Sequence, residues 1–137
     1  MEKNISSLLF ENNAPSLLKN LDLSKRDYLQ LVSARYEIRK QLESRIPAAL
    51  QLRAKNRNPE ILKEFSRPRF YKQGSWSYKT LNAPIEGRTP PHQADLDDGM
   101  YMPFEEFEDG DPKEVSQDLF EAVGEILDEM AKNKPSW

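Results

Sequence analysis

The sequence contains the stretch Gln73-Gly74-Ser75-Trp76-Ser77-Tyr78-Lys79-Thr80-Leu81-Asn82, and about ten residues later the stretch His92-Gln93-Ala94-Asp95-Leu96-Asp97-Asp98-Gly99-Met100-Tyr101-Met102-Pro103. The first stretch places a Gly-Ser turn directly after a strand-like segment at residues 70–73. The second stretch reads as a strand over residues 92–103 that carries an Asp-x-Asp pair. Together, the turn and the acidic strand predict a site that holds phosphate groups beside metal ions.

The acidic strand places two carboxylates on one face. Asp95 and Asp97 are two residues apart, so their Cα atoms lie about 6.6 Å apart on the same side of a strand. The apolar residues of the stretch fall on the other face: Leu96, Met100 and Met102. Mg²⁺ prefers oxygen ligands and often binds one or two carboxylates together with substrate phosphates. The pair therefore predicts a magnesium site, with a solvated strand edge as the alternative, and Asp98 points to the opposite face.

The Gly-Ser turn is suited to phosphate. Gly74 allows a ligand to approach the backbone closely, and Ser75 adds a hydroxyl at the start of a short helix that we expect to reach about Asn82. The turn lacks the second glycine and the Gly-Lys-Ser/Thr of a Walker A loop. Three nearby aromatic residues either stack on a base or belong to the core: Trp76, Tyr78 and Tyr101.

Two long amphipathic helices are predicted on either side of this region. Ser24 is a candidate N-cap with Asp27 as a variant capping box, and apolar residues then recur at three- and four-residue steps over 25–55. Pro47 is expected to kink or divide that helix. The second helix is predicted over 113–132. Between the elements we expect a short helix from Pro59 to Phe65, a loop at 83–91 and an acidic loop at 105–111.

Composition limits the class of protein. The chain has 137 residues, so it is one domain or part of one, and it contains no cysteine, which excludes disulfides and thiolate metal sites. It has no apolar run of membrane-spanning length, so we expect a soluble, cytoplasmic protein. Residues 1–90 hold 17 basic and 9 acidic residues, whereas residues 91–137 hold 3 and 14. A basic first part facing an acidic strand suits a polyanionic ligand, although solvated helix faces explain the same charges.

The two motifs together resemble those of bacterial CD-NTases, the cyclic oligonucleotide synthases of CBASS anti-phage systems. The similarity is greatest to the cyclic GMP–AMP synthase branch, where Asp-Asp-Gly-x-Tyr-Met-Pro follows the metal strand, as residues 97–103 do here. The resemblance implies an α+β, polymerase-β-like nucleotidyltransferase fold, of which this chain would supply the N-terminal long helix and the first strands of the catalytic sheet. In that fold Gly74 and Ser75 would hold a triphosphate, Gln73 and Tyr78 would line the nucleotide pocket, and Asp95 and Asp97 would bind Mg²⁺, with Mn²⁺ as an alternative.

The implied reaction is attack by a 2′- or 3′-hydroxyl of ATP or GTP on an α-phosphate, with release of pyrophosphate. The family places a third metal carboxylate on a later strand and adds a C-terminal helical domain, and neither is found in these 137 residues. We therefore expect an incomplete catalytic domain over residues 1–137 that is inactive alone and needs the remainder of the same enzyme, but neither a membrane nor nucleic acid. Two alternatives remain: a toxin that modifies RNA or protein, and a truncated, non-catalytic module that binds nucleotide or a partner.

Overall fold

The computed structural model of the chain describes residues 23–60, 62–74, 96–107 and 111–134. In chain order the elements are α1 (Lys25–Arg57), β1 (Arg69–Lys72), β2 (Asp98–Tyr101), a 3₁₀ turn (Phe104–Phe107) and α2 (Pro112–Asn133). β1 and β2 form a two-stranded antiparallel sheet. Among the described residues, no helix combines the length and the apolar character that a membrane span requires. The chain divides into two units, Met1–Leu31 with Lys72–Asp98, and Val32–Tyr71 with Gly99–Trp137.

Helix α1 begins where its cap predicts. The Ser24 hydroxyl oxygen accepts a hydrogen bond from the Asp27 N–H at 3.1 Å, and the same hydroxyl donates to the Asp27 carboxylate at 2.7 Å. This pairing satisfies one of the backbone donors that a helix start leaves open. The helix then continues for 33 residues with Pro47 inside it. The predicted helix is confirmed, and Pro47 does not divide it.

Helix α2 has an equally clear start. The Asp111 carboxylate accepts a hydrogen bond from the Lys113 N–H at 2.9 Å, and Pro112 occupies the first turn, where a missing N–H costs nothing. The helix extends from Pro112 to Asn133, one residue beyond the predicted bounds at each end. Its prediction is confirmed as well.

The second unit contains a core between the two helices. The buried residues are Leu42, Ile46 and Leu50 of α1, and Ala122, Ile126 and Met130 of α2. Around them pack partly buried side chains that include Phe65, Phe70, Met100 and Met102. Met100 and Met102 lie on the apolar face that alternation predicted for the second motif. Each buried Leu or Ile contributes about 1.5–3 kcal/mol relative to exposure, so this cluster is the main source of stability in the unit.

Ion pairs line the edges of the same helix pair. Three arginines of α1 contact three acidic residues of α2: Arg45 with Glu129, Arg53 with Glu125 at 2.7 Å, and Arg57 with Asp118. Lys134, directly after α2, contacts Glu37. Arginines later in α1 contact acidic residues earlier in α2, so the two helices run antiparallel. The basic first part and the acidic last part of the chain thus neutralise each other here, which favours the helix-face interpretation for these charges.

Among the expectations about shorter elements, one is wrong for the described residues and two hold only in part. The segment after Pro59 is not helical: the Asn58 side chain accepts a hydrogen bond from the Glu60 N–H at 3.1 Å, which forms a turn instead. The strand expected over 92–103 is confined to Asp98–Tyr101 within the described part, because β1 offers only four residues for pairing. The predicted acidic loop contains a 3₁₀ turn, in which the Glu106 N–H donates to the Pro103 carbonyl at 3.2 Å.

Candidate functional site

The structure describes three of the six predicted site residues. Gln73, Gly74 and Asp97 all belong to the unit that contains Lys72–Asp98, and each can be located. Ser75, Tyr78 and Asp95 lie outside the described residues, as do the short helix predicted to reach Asn82 and the loop predicted at 83–91. The roles assigned to all six residues stay predictions, and the geometry below concerns the first three.

The strand ends bring these three residues together. β1 ends at Lys72 and β2 begins at Asp98, so the residues that follow β1 and precede β2 are neighbours in an antiparallel arrangement. The Gln73 N–H donates to the Asp97 carbonyl oxygen at 3.1 Å, which continues the pairing one step beyond the strands. The two motifs are therefore joined at the main chain, although about twenty residues separate them in sequence.

Gly74 and the Asp97 side chain are in close contact. Gly74 has φ +55°, a left-handed backbone conformation that favours glycine. A Cβ atom at Gly74 would lie 1.9 Å from Asp97 Oδ2 and 2.8 Å from Asp97 Cγ, both far inside van der Waals contact. The Asp97 carboxylate thus occupies the space that a side chain at position 74 would need. The conformation favours glycine here, and any other residue would force the Asp97 side chain to move.

The Asp97 carboxylate fits the chemistry of a magnesium ligand. Asp97 is exposed, so its oxygens can reach a cation, and its main chain is fixed by the Gln73 hydrogen bond. The carboxylate lies beside the Gly74 backbone, in the space that a side chain at position 74 would occupy. Within the described ranges, no group of three or more potential ligands is assembled. A cation bound at Asp97 would therefore complete its shell with water, phosphate oxygens or residues beyond those described.

Of the three aromatic residues considered for base stacking, the structure describes only Tyr101. Tyr101 is 47% exposed, and its ring meets the ring of Tyr71 edge-on, with centroids 5.3 Å apart and planes at 74°. This exposed pair on adjacent strands stabilises the sheet. Trp76 and Tyr78 lie outside the described residues, so base stacking by the three aromatics stays a prediction.

Sequence reasoning did not foresee the direct contact between Gly74 and Asp97. It assigned the glycine to phosphate and the aspartate to metal, as separate tasks. The spacing of the two motifs carries no signal for the contact, because the antiparallel pairing of β1 with β2 creates it. The side chain of Gln73 does not predict its hydrogen bond to Asp97 either. The donor is the backbone N–H, which every residue except proline has.

Comparison with known proteins places these residues in context. Residues 68–137, which are 70 of the chain's 137 residues, match the family model described as cyclic GMP-AMP synthase DncV-like, nucleotidyltransferase domain. The chain is 39% identical over 70 residues to a cyclic GMP-AMP synthase of Vibrio cholerae serotype O1, covering 51% of this chain and 15% of that protein. It is 51% identical over 41 residues to a cyclic GMP-AMP synthase of Escherichia coli strain TW11681, covering 30% of this chain and 9% of that protein. The chain thus spans only a small part of these relatives, and no solved structure matches it.

Proposed function

Because this chain belongs to the DncV-like nucleotidyltransferase family of cyclic GMP-AMP synthases, we propose that it is part of an enzyme that makes a cyclic di- or oligonucleotide from ATP and GTP. A ribose hydroxyl of one nucleotide attacks the α-phosphate of another. A new ester bond to phosphorus forms, the bond between the α- and β-phosphates breaks, and pyrophosphate leaves with the electron pair. The hydroxyl proton passes to solvent or a nearby base. A second transfer of the same kind closes the ring.

The chain's own residues have distinct parts in this proposal. Gly74 and Ser75 hold the triphosphate through backbone amides and a hydroxyl, and Gln73 and Tyr78 line the nucleotide pocket. Asp95 and Asp97 hold Mg²⁺, or Mn²⁺ in its place. When bound, the cation neutralises charge on the phosphates and lowers the pKa of the attacking hydroxyl. Positioning of the two nucleotides and stabilisation of charge supply most of the rate enhancement in such reactions.

One observation supports the proposal most directly. The glycine assigned to phosphate and a carboxylate assigned to metal are in contact, within the part of the chain that matches the nucleotidyltransferase model. A Mg²⁺ ion held by Asp97 would also take oxygen ligands from a nucleotide's phosphates, and this would require the phosphate turn and the metal ligand to be neighbours. In this chain, the Gln73–Asp97 hydrogen bond fixes that adjacency at the main chain.

The first test is Asp97→Asn in the protein that contains this chain. The substitution keeps the side-chain shape but removes the negative charge that a hard cation requires. We expect product formation from α-labelled ATP and GTP with Mg²⁺ to fall at least about 100-fold, the size of effect typical when a transition-state charge contact is removed. Asp128→Asn is the matched control, because Asp128 is an exposed aspartate of α2. Phosphatase-resistant cyclic products are separated by chromatography, and circular dichroism checks the fold.

The outcomes separate the candidate functions. A cyclic product that is lost in Asp97→Asn and kept in Asp128→Asn supports the synthase. Normal yield from Asp97→Asn contradicts the assignment of Asp97 to the metal. Label transferred to RNA or protein, without a cyclic product, indicates a modifying nucleotidyltransferase. Nucleotide binding that depends on Mg²⁺ without any turnover indicates a non-catalytic binding module.

We extend the proposal to a biological role in anti-phage defence, with the cyclic product as a second messenger in the cytoplasm, where ATP and GTP are available. The support for this role is the similarity of the motifs to those of CBASS synthases. The matching measurement is the plating efficiency of phages on cells that carry the complete system with either the native protein or Asp97→Asn. Equal protection by both would contradict the role of the nucleotide product.

A further inference from the structure

We propose that Gly74 is a positioning residue for the metal ligand Asp97, in addition to its assigned contact with phosphate. The inference rests on the proposed function only in taking Asp97 as a metal ligand. It assigns to the glycine a second task, which is to leave room for the one carboxylate orientation that the structure contains. A side chain at position 74 would therefore damage the metal site even when no nucleotide is present.

The argument starts from the packing around Gly74. A Cβ atom there would meet three atoms of Asp97, namely Oδ2 at 1.9 Å, Cγ at 2.8 Å and Cβ at 3.1 Å. These are the three nearest heavy atoms, so the obstacle is the aspartate side chain and not the surrounding backbone. A Cβ at position 74 and the present Asp97 rotamer cannot coexist.

The two shortest contacts, with Oδ2 and Cγ, are relieved by movement of the Asp97 side chain. The Asp97 main chain is bound to Gln73 by the 3.1 Å hydrogen bond, and Gln73 is the immediate neighbour of Gly74. A shift of the Asp97 backbone away from position 74 would break that bond. Rotation about χ1 to another staggered well removes the contacts with Oδ2 and Cγ, although not the 3.1 Å contact with Cβ, and it moves the carboxylate oxygens by more than the few tenths of an ångström that metal coordination tolerates.

The glycine at this position serves two separable requirements. The φ of +55° favours glycine whatever the neighbouring side chain is, whereas the clash exists only while Asp97 is present. A double-mutant cycle separates the two effects, because Asp97→Ala removes the contacts with Oδ2 at 1.9 Å and Cγ at 2.8 Å and leaves both the backbone preference for glycine and the weaker Cβ contact at 3.1 Å in place. Gly124 provides the matched control, since a Cβ atom there would meet nothing within 4 Å.

The first experiment measures stability by urea denaturation, without nucleotide or metal. We expect Gly74→Ala to lower the urea midpoint more in the native background than in the Asp97→Ala background, and Gly124→Ala to leave it unchanged or raised in both. An equal decrease in both backgrounds would overturn the proposal, because the backbone conformation alone would then explain the glycine. If Gly74→Ala does not fold by itself, folding of the Gly74→Ala, Asp97→Ala double variant supports the clash, and its failure to fold overturns the proposal.

The second experiment measures metal binding with Mn²⁺ alone, by the electron paramagnetic resonance signal of the free ion. Binding that is lost in Asp97→Ala defines the component due to this site. We expect folded Gly74→Ala, or Gly74→Asn if alanine is not tolerated, to weaken that component about tenfold, as expected for loss of a group that orients a ligand. Asparagine adopts positive φ more readily than alanine but still adds a Cβ atom. Native Mn²⁺ affinity in these variants, or no Asp97-dependent binding in the native protein, would overturn the proposal.

These readouts distinguish this inference from the proposed function. Neither urea denaturation nor Mn²⁺ binding requires nucleotide or turnover. Suppose that Gly74→Ala is more destabilising in the native background than in the Asp97→Ala background and weakens Mn²⁺ binding, but that the protein makes no cyclic product. These results would support the positioning role and contradict the synthase. A cyclic product, together with equal effects of Gly74→Ala in the native and Asp97→Ala backgrounds, would support the synthase and contradict the positioning role.

Discussion

The core between the helices gives a sharp quantitative prediction for Ile46. This side chain is fully buried, at 0% exposure, in the middle of α1. Ile46→Ala removes three carbon atoms. At about 0.8 kcal/mol per buried methylene the transfer loss is about 2.4 kcal/mol, and the remaining cavity adds to it. Because alanine has a better helix propensity than isoleucine, the loss of stability is reduced by a few tenths of a kcal/mol. We expect the free energy of unfolding to fall by about 3 kcal/mol.

Leu52→Ala is the matched control for Ile46→Ala. It removes the same number of carbon atoms from the same helix, but Leu52 is 61% exposed. Only about two-fifths of the transfer loss applies, so we expect a decrease of about 1 kcal/mol or less. Both variants and the native protein are unfolded in urea, and unfolding is followed by circular dichroism at 222 nm. The dependence of the unfolding free energy on urea concentration should be the same for all three proteins. Equal losses for the two variants, or a loss below about 1 kcal/mol for Ile46→Ala, would refute the assignment of the core.

Two further predictions concern the cap and the ion pairs of α2. Asp111→Ala removes the carboxylate that caps the helix start and should lower the free energy of unfolding by about 1 kcal/mol; an unchanged urea midpoint would contradict the cap. Glu125→Gln should cost less than about 0.5 kcal/mol, because the Glu125 side chain is 70% exposed where it contacts Arg53. Arg53→Ala should cost more than Glu125→Gln, since the Arg53 side chain is only 17% exposed and its stem packs against neighbours; the reverse order in denaturation would count against this interpretation.

The two helices were predictable from sequence because their signals are local. Ser24 with Asp27 and Asp111 with Pro112 are start signals that act within one turn. Apolar residues also recur at helical steps, and the buried ones are Leu42, Ile46, Leu50 and Ala54 in α1, and Val115, Ala122, Ile126 and Met130 in α2. Proline at position 59 is also a start signal, yet no helix follows it in the described residues. The Asn58 side chain forms a turn with Glu60, and that local hydrogen bond outweighs the preference of proline for a first helical turn.

The sheet and the 3₁₀ turn were harder to predict because distant residues define them. Alternation continues beyond Tyr101, but strand length depends on a partner, and β1, whose first residues lie opposite the end of β2 in the antiparallel pairing, begins only at Arg69. In the 3₁₀ turn, the Glu106 carboxylate accepts a hydrogen bond from the Ser66 N–H at 2.9 Å, forty positions away in the chain. Sequence periodicity contains no information on such a contact. For the same reason the motifs indicated metal and phosphate chemistry, while the contact between Gly74 and Asp97 emerged only from the fold.

The contact between Gly74 and Asp97 also affects how the length of the sequence between them can vary among relatives. Gly74 and Asp97 are in contact, so the two ends between which the intervening residues must connect lie at nearly the same point. Closing a longer loop between fixed ends costs only about 0.6 kcal/mol for each doubling of its length. The part of this segment between the assigned residues Tyr78 and Asp95 can therefore change in length at little thermodynamic cost, while Gly74 and Asp97 stay in place. Chimeras that exchange residues 79–94 with those of family members, and so keep Ser75, Tyr78 and Asp95, would test this tolerance by their urea midpoints.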